Sequence, residues 1–269
     1  MNLKLLAVVA AVLVGGCALF PEEETDMTSW RGRKVAFLGD SITDPRQAHA
    51  IYWQYLEKTM GIEARVHAVS GYRWSHMPSM AEEMKRTDGD DIDAILIFVG
   101  TNDYNSGVPL GDWWSVTNET ACYNGVERSM PRRYPDLSEG TMRGRINATI
   151  RYLKDNWPDA QIVLMTPIHR AYARFGATNV QPSECFPNAK GIYFEEYIRV
   201  IREAADIWSL PLIDLYRDSG LLPAEPSFAK CFRNRNGSDL LHPNAEGHRR
   251  LAETIRCNLQ SLPLMRIGR

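Results

Sequence analysis

The sequence predicts an α/β fold in which five parallel strands form one sheet with helices on both faces. Short runs of apolar, β-branched residues alternate with helical patterns, which is typical of strand–helix–strand units. Each run is apolar almost without interruption, as expected for a strand that helices cover on both faces. Polar, glycine-containing blocks follow several runs, at the strand ends where such sheets bind ligands. Together these observations favour a doubly wound sheet.

The predicted strands and helices follow one another in regular alternation. The strands cover residues 34–38, 64–69, 94–99, 161–166 and 211–215, and the helices cover residues 49–60, 77–86, 141–156, 193–206 and 245–259. In the last helix Leu251, Ile255 and Leu259 lie four residues apart on one face, and Asn244 is a suitable N-cap.

Three long segments interrupt this alternation, and they cover residues 104–140, 168–190 and 217–238. Loops of this length are usually functional or disordered. Because each one follows a predicted strand at its carboxyl end, all three could border the same cleft.

The charges are nearly balanced. Lys and Arg number 31 against 33 Asp and Glu, and neither sign forms long blocks. This balance argues against a nucleic-acid partner and against a polybasic membrane patch. The content of hydrophobic residues, 44%, is ordinary for a globular protein, and residues 32–269 are interpreted as one large domain.

The first 17 residues form a separate pattern. Lys4 precedes an apolar run at residues 5–13 that is too short to span a membrane as a stable helix, and small residues then lead directly to Cys17. This pattern resembles the lipobox of bacterial lipoproteins, which implies that residues 1–17 are a signal peptide whose Cys17 becomes the lipid-modified first residue of the mature protein. An ordinary secretory signal or a buried apolar segment is the alternative.

Residues 21–30 are acidic and polar, and residues 18–31 would then tether the domain to a membrane that it does not cross. The expected location is the bacterial cell envelope, with a lipid anchor in the outer membrane on its periplasmic side or at the cell surface.

Four further cysteines remain: Cys122, Cys185, Cys231 and Cys257. An even number in an exported protein permits two disulfides in any of three pairings, and the exported location favours them. Free buried thiols are the alternative. None of the four has the spacing of a metal ligand.

Four short polar blocks are the part of the sequence that indicates chemistry. They are Gly39-Asp40-Ser41-Ile42-Thr43, Ser70-Gly71, Gly100-Thr101-Asn102-Asp103 and Asp239-Leu240-Leu241-His242-Pro243-Asn244. Between them they supply a nucleophile, hydrogen-bond donors, a general base and a carboxylate that can orient the base, which is the set required for acyl transfer. No zinc, phosphate-loop or dinucleotide spacing accompanies them.

Together the blocks resemble those of the GDSL, or SGNH, hydrolase family, over roughly residues 33–259. Ile42 stands where the leucine of the family name stands, and Gly71, Asn102 and the pair Asp239 and His242 match the later blocks. The resemblance implies a three-layer α/β/α, flavodoxin-like fold and esterase or acylhydrolase chemistry without metal or cofactor.

The roles of the catalytic residues follow from their chemistry. His242, if it lies within hydrogen-bond reach of Ser41, removes the hydroxyl proton and later donates it to the leaving alcohol. Asp239, three residues earlier, would hold the imidazole tautomer and stabilise its transient charge. A capping role for Asp239 and a plain loop role for His242 are the structural alternatives.

The developing oxyanion needs hydrogen-bond donors that are in place beforehand. The candidates are the backbone N–H groups of Ser41 and Gly71 and the side-chain amide of Asn102. Gly71 has a structural alternative as a turn residue with positive φ, and Asn102 as the former of an Asx turn. Asp40 and Asp103, which adjoin these residues, are expected to hydrogen-bond the turns.

The segment at residues 104–140 is rich in aromatic side chains: Tyr104, Trp113, Trp114, Tyr123 and Tyr134. Aromatic faces can stack on sugar rings, but a small separate core within the segment is the favoured interpretation. Arg128, Arg132 and Arg133 lie beside them and could bind an acidic sugar or remain solvated.

The leading functional hypothesis is a serine esterase that removes acetyl groups from a carbohydrate. A lysophospholipase, thioesterase or acyltransferase could use the same triad, but no segment rich in Leu, Ile or Val clearly predicts a lipid channel. A surface lipoprotein that binds glycans without turnover is the third hypothesis, and it is disfavoured because every residue that the chemistry needs is present.

Overall fold

A five-stranded parallel sheet forms the centre of the structure, a computed structural model that describes residues 29–233, 238–262 and 264. The sheet contains β1 (Lys34–Gly39), β2 (Glu63–Ala68), β3 (Ala94–Phe98), β6 (Gln161–Met165) and β9 (Leu212–Ile213). Two separate antiparallel pairs lie outside it: β4 (Trp114–Tyr123) with β5 (Val126–Pro135), and β7 (Ala173–Arg174) with β8 (Val180–Gln181). The order across the sheet is β2-β1-β3-β6-β9, which is the flavodoxin-like arrangement.

Helices cover both faces of the sheet, so the predicted three-layer fold is confirmed. The long helices are α1 (Tyr52–Met60), α2 (Met77–Asp88), α4 (Met142–Asn156), α5 (Phe194–Trp208) and α8 (Ala245–Gln260), and the short ones are α3 (Thr101–Asn105), α6 (Leu215–Asp218) and α7 (Pro226–Ala229). α1 and α8 pack together on one face, while α2, α4 and α5 pack on the other. In the described ranges, no helix has the length and apolar content needed to cross a bilayer.

The strands supply side chains to two cores because successive side chains of a strand point to opposite faces. In β1, Ala36 and Leu38 join the core under α2, α4 and α5, whereas Val35 and Phe37 join the core under α1 and α8. All four side chains are fully buried. This two-sided burial explains why the strands lack the alternation of a sheet with one wet face.

The predicted helices are all present, and the largest difference is at the start of α1. The sequence predicts a beginning at residue 49, but Ile51 has extended backbone with φ −117°, and α1 begins after it. The Gln54 side chain accepts the Ile51 backbone N–H at 2.9 Å and fixes this start. Residues 44–50 are left free to form a loop at the carboxyl edge of the sheet.

The segment at residues 104–140 forms a projecting two-stranded ribbon rather than an irregular loop. β4 and β5 pair along their full length, and nearly all their residues are exposed. Asn124 and Gly125, both with positive φ, form the two-residue turn. An Asn-Gly pair between strands is a strong sequence signal for such a hairpin, so the ribbon was within reach of sequence analysis.

The aromatic residues of this segment lie in different environments. Tyr104 is buried, and Trp113 packs against the core and donates its indole N–H to Glu203 at 2.7 Å. Tyr123, near the ribbon turn, is 56% exposed. Trp114 and Tyr134 are half-buried and join neither main core. The favoured expectation that all five rings form a small separate core is therefore wrong, because Tyr104 belongs to the main core and Tyr123 faces solvent.

The expected disulfides are absent from the described residues. Cys122, Cys185, Cys231 and Cys257 are all free thiols, and of these only Cys231 is buried. They belong to different parts of the fold: the ribbon, the segment after β6, the end of α7 and the outer face of α8. An even count constrains the number of pairings but not the positions of the thiols, which is why the favoured interpretation is wrong here.

The predicted signal peptide with its Cys17 lies outside the described residues, and so do residues 18–28 of the predicted tether. The signal peptide, the lipid modification of Cys17 and the tether therefore remain predictions.

Candidate active site

The turn after β1 presents Ser41 at the carboxyl edge of the sheet. The backbone N–H groups of Thr43 and Asp44 donate to the Asp40 carbonyl at 3.0 and 2.9 Å, which closes a tight turn around the serine. Gly39 is required here, because a Cβ at this position would lie 2.3 Å from the Thr43 hydroxyl oxygen. Ser41 is 7% exposed, so only a small part of the side chain reaches the surface.

The structure brings Ser41, His242 and Asp239 together in one hydrogen-bonded line. The His242 Nε2 atom lies 2.9 Å from Ser41 Oγ, across 201 positions of sequence. On its other side, His242 Nδ1 lies 3.0 Å from Asp239 Oδ2. Burial opposes ionisation of Asp239, but hydrogen bonds and charge from His242 lower the pKa of this carboxyl below its usual value. A carboxylate in this position holds the proton on Nδ1 and leaves Nε2 free to accept.

Hydrogen bonds to backbone groups fix the segment that carries Asp239 and His242. Asp239 Oδ1 accepts the N–H groups of Leu241 and His242 at 3.1 and 3.0 Å. Leu240 exchanges two backbone hydrogen bonds of 3.0 Å with residues 171 and 172 of the segment after β6. At the end of the block, Asn244 accepts the first N–H groups of α8, as its predicted N-cap role requires.

The three predicted oxyanion donors follow three neighbouring strands. In the described structure, the backbone N–H groups of Ser41 and Gly71 donate to no other residue, so both are free for a ligand. The Asn102 side-chain amide lies between the two turns, 3.4 Å from Asp40 and 3.0 Å from the Tyr72 carbonyl. Gly71 has φ +84°, a conformation that a side chain disfavours, so its structural and functional interpretations apply together.

Asp44 connects the serine turn to the Gly71 turn, and the sequence analysis missed it. This fully buried carboxylate accepts the Ser70 backbone N–H at 3.0 Å and the Ser70 hydroxyl at 3.1 Å. It also forms an ion pair with Arg46 at 2.7 Å. Burial acts to raise the pKa of Asp44, but these hydrogen bonds lower it to about 2. Its place directly after the block was the only sequence signal.

Two further carboxyl groups lie buried behind the site. Asp40 accepts the Ile42 N–H at 3.1 Å, and Asp103 accepts the Trp74 N–H at 3.1 Å, so both hydrogen-bond the turns as expected. Burial raises the pKa of each to about 7, and repulsion from Asp103 adds to the effect on Asp40. These groups exchange protons near neutral pH without touching Ser41 Oγ.

The arrangement can therefore perform nucleophilic acyl transfer. Ser41 Oγ can attack a carbonyl carbon, and His242 Nε2 is positioned to take its proton. The Ser41 and Gly71 backbone N–H groups are unpaired in the described structure, whereas the Asn102 amide donates to Asp40 and to the Tyr72 carbonyl. Across residues 29–233, 238–262 and 264, no three His, Cys, Asp or Glu side chains are grouped so that they could hold a metal ion.

Comparisons with known proteins agree with this geometry. The model of the GDSL-like Lipase/Acylhydrolase family matches residues 37–250, a range that contains all four blocks. Among curated proteins, none matches the sequence.

Solved structures share the fold. A protein from Lactobacillus plantarum is 26% identical, with a TM-score of 0.68 over 86% of this chain and 98% of its own. A possible lipase from Chitinophaga pinensis is 17% identical, with a TM-score of 0.64 over 86% of this chain and 99% of its own. An acetyl xylan esterase from Geobacillus stearothermophilus is 18% identical, with a TM-score of 0.50 over 88% of this chain and 98% of its own.

Proposed function

The chain belongs to the GDSL-like lipase/acylhydrolase family and is a carboxylic ester hydrolase, and on this premise we propose that it removes short acyl groups, acetyl in particular, from a carbohydrate. One observation carries the choice of substrate. The cavity that borders the triad, about 890 Å³, has no Leu, Ile, Val or Met among its described lining residues. Eight of its fourteen described lining residues carry polar or charged side chains, which can hydrogen-bond the hydroxyl groups of a sugar.

The proposed reaction begins with attack of Ser41 Oγ on the ester carbonyl as His242 Nε2 takes the hydroxyl proton. The N–H groups of Ser41 and Gly71 and the amide of Asn102 stabilise the tetrahedral oxyanion. His242 then donates its proton to the leaving alcohol, and an acyl-enzyme ester on Ser41 remains. Water, activated by His242 in the same way, releases the carboxylic acid and restores the serine.

Two other functions use the same residues or the same fold. A lysophospholipase, thioesterase or acyltransferase would share the triad but would need room for a long chain or for an acceptor. A glycan-binding lipoprotein would bind without turnover. The solved structures of this fold include both an acetyl xylan esterase and a possible lipase, so the fold alone does not choose between the hypotheses.

The test is hydrolysis of p-nitrophenyl esters from acetyl to palmitoyl by the full-length chain in detergent, with Ser41→Ala as the matched control. We expect activity on acetyl and propionyl esters that Ser41→Ala removes. Faster hydrolysis of long-chain esters would move the protein to the lipid hydrolases. Activity that is equal in the serine variant would contradict the mechanism.

We also propose that the chain is lipid-anchored in a bacterial cell envelope through Cys17. The support is the sequence pattern of residues 1–17. Metabolic labelling with a palmitate analogue should mark the wild-type chain and not Cys17→Ala, and the variant should leave the membrane fraction. Equal labelling of both would contradict the anchor.

A further inference from the structure

A basic pocket adjoins Asp239 and His242. It is the cavity that borders the triad. We define it by His49 of the loop after β1, Arg174 and Phe175 of the segment after β6, and Lys230 and Arg233 near the end of α7. Asp239 forms part of its wall, and the Phe175 ring packs edge-on against the His242 ring with 5.2 Å between the centroids. The pocket therefore begins one side chain away from the catalytic imidazole.

The charge of the basic pocket is unbalanced. Arg174 and Lys230 are exposed, and neither side chain forms an ion pair with a described residue. The only acidic residue in the described lining is Asp239, whose oxygens already accept His242 and two backbone N–H groups. Two positive side chains thus face the pocket without a described counter-charge.

Arg233 adds a fixed charge beneath the basic pocket. Its backbone N–H donates to the His242 carbonyl at 2.9 Å, which holds it beside the triad. Its Nη2 atom is buried and has no hydrogen-bond partner among the described residues. Burial lowers the pKa of Arg233. Because the usual pKa of a guanidinium lies far above neutral pH, the group still stays charged there.

The basic pocket also offers apolar surface. Phe175 is 43% exposed, and Phe232 forms part of the lining. An aromatic face beside cationic side chains suits a ring that carries an anionic substituent, because the ring can stack while the anion meets the charges. A neutral fatty chain would leave those charges without a partner.

The position of the basic pocket, beside the His242 ring, favours the alcohol half of the ester as its occupant. The oxyanion donors follow β2, β1 and β3, whereas the basic pocket is built from the segments beside α1 and α8. The leaving oxygen must lie within hydrogen-bond reach of His242 Nε2 to receive its proton. Phe175 contacts the imidazole ring and also lines the basic pocket, so an alcohol held at His242 can extend past Phe175 into it.

We propose that the alcohol half of the substrate is a sugar ring with an anionic group, such as the carboxylate of an acidic sugar, which binds in the basic pocket. This inference rests on the proposed function and specifies its substrate class. It assigns the recognition of the anion to Arg174 and Lys230 rather than to the arginines of the ribbon.

The experiment compares kcat/KM for two mono-acetylated methyl glycosides, a glucuronoside and a glucoside, with the full-length chain in detergent. The two rings differ only in a carboxylate in place of a hydroxymethyl group. We expect the wild type to prefer the glucuronoside by about tenfold at low salt and by less at high salt, as for partly exposed charge pairs. Arg174→Gln and Lys230→Gln should each reduce the ratio about threefold, and the double variant should remove it.

Two further variants complete the design. Arg151→Gln, on the exposed surface of α4, should keep the wild-type ratio. A ratio of one in the wild type, or a ratio that survives in the double variant, would overturn the proposal. Loss of the preference in Arg133→Gln on the ribbon, with retention in the double variant, would also overturn it.

Binding separates this inference from the proposed function. If neither acetylated glycoside is hydrolysed, the proposed function fails, but calorimetric titration with the unacetylated methyl glucuronoside and glucoside still tests the basic pocket. Tighter binding of the glucuronoside by the wild type, lost in the double variant, supports the pocket. Equal binding of both sugars overturns it.

Discussion

The buried Asp44 carboxylate accepts both the backbone N–H and the hydroxyl of Ser70, at 3.0 and 3.1 Å. These two hydrogen bonds join the turn that carries Ser41 to the turn that carries Gly71. Two of the proposed oxyanion donors therefore keep their relative positions before any substrate binds, which is what electrostatic stabilisation of a transition state requires. Asp44 touches neither the nucleophile nor the base, so we regard it as a positioning residue.

We predict that Asp44→Asn lowers kcat about tenfold with a smaller change in KM. The amide can accept fewer of the hydrogen bonds that hold the Ser70 turn, so the Gly71 N–H is aimed less well at the oxyanion. Steady-state kinetics on an acetyl ester provide the measurement. Arg46→Gln is the control, because it removes the exposed ion-pair partner and leaves the Ser70 hydrogen bonds in place. An equal loss in both variants would assign the effect to the ion pair instead.

We predict that His242→Ala lowers kcat by roughly 10⁵-fold and Asp239→Asn by roughly 10³–10⁴-fold, by analogy with other serine triads. In Asp239→Asn the side-chain oxygen can still accept the two backbone N–H groups, which keeps the turn intact. The amide nitrogen would face His242 Nδ1 and favour the tautomer whose Nε2 carries the proton. Single-turnover measurements give the acylation rates, and near-ultraviolet circular dichroism checks the folding. A milder effect of His242→Ala than of Asp239→Asn would contradict these roles.

We predict that Gly71→Ala lowers kcat by about 10²-fold, because a side chain disfavours φ +84° and the N–H that faces the oxyanion must move. Nothing lies within 4 Å of the added Cβ, so the effect comes from the backbone and not from a clash. Gly32→Ala is the matched control. Gly32 also has positive φ and open space, but it precedes β1 at the opposite edge of the sheet. Similar losses of kcat in both variants would mean that strain alone explains them.

We predict that stability decreases as the pH rises from about 4 to about 7. Burial raises the pKa of Asp40 and Asp103 to about 7, so in this window the folded chain keeps two protons that the unfolded chain has lost. Each group then lowers the free energy of unfolding by up to about 1.4 kcal/mol per pH unit. Asp44 and Asp239, whose pKa values are lowered, act oppositely: their stabilisation is present above about pH 4 and is lost as the pH falls toward 2.

Urea unfolding at pH 5 and pH 7 measures this effect. The decrease between the two values should be smaller in Asp103→Asn than in the wild type, because the variant has one fewer buried proton to lose. Asp90→Asn, which changes an exposed carboxyl, should show the wild-type decrease. An unchanged decrease in Asp103→Asn would show that this carboxyl does not titrate in the window.

The sequence by itself determined the sheet and the long helices, and it predicted the three residues that the structure joins by hydrogen bonds as Ser41, His242 and Asp239. Each sheet strand and each long helix has a local signature, because burial on two faces gives a continuous apolar run and burial on one face gives a helical period. Ser41, Asp239 and His242 were identified because their chemistry requires particular residue types in short blocks. The Asn124-Gly125 turn was just as local, and the ribbon could have been predicted from it.

Only the tertiary structure decided which loops meet at the edge of the sheet. The contact between Asp44 and Ser70 exists because β1 and β2 are neighbours in the order β2-β1-β3-β6-β9. The basic pocket combines side chains from near residues 49, 174 and 230, which no spacing in the sequence relates. The same holds for the four free cysteines, whose positions are set by the packing of separate elements. Local patterns record how each segment is buried, whereas long-range contacts depend on the order in which the strands pair.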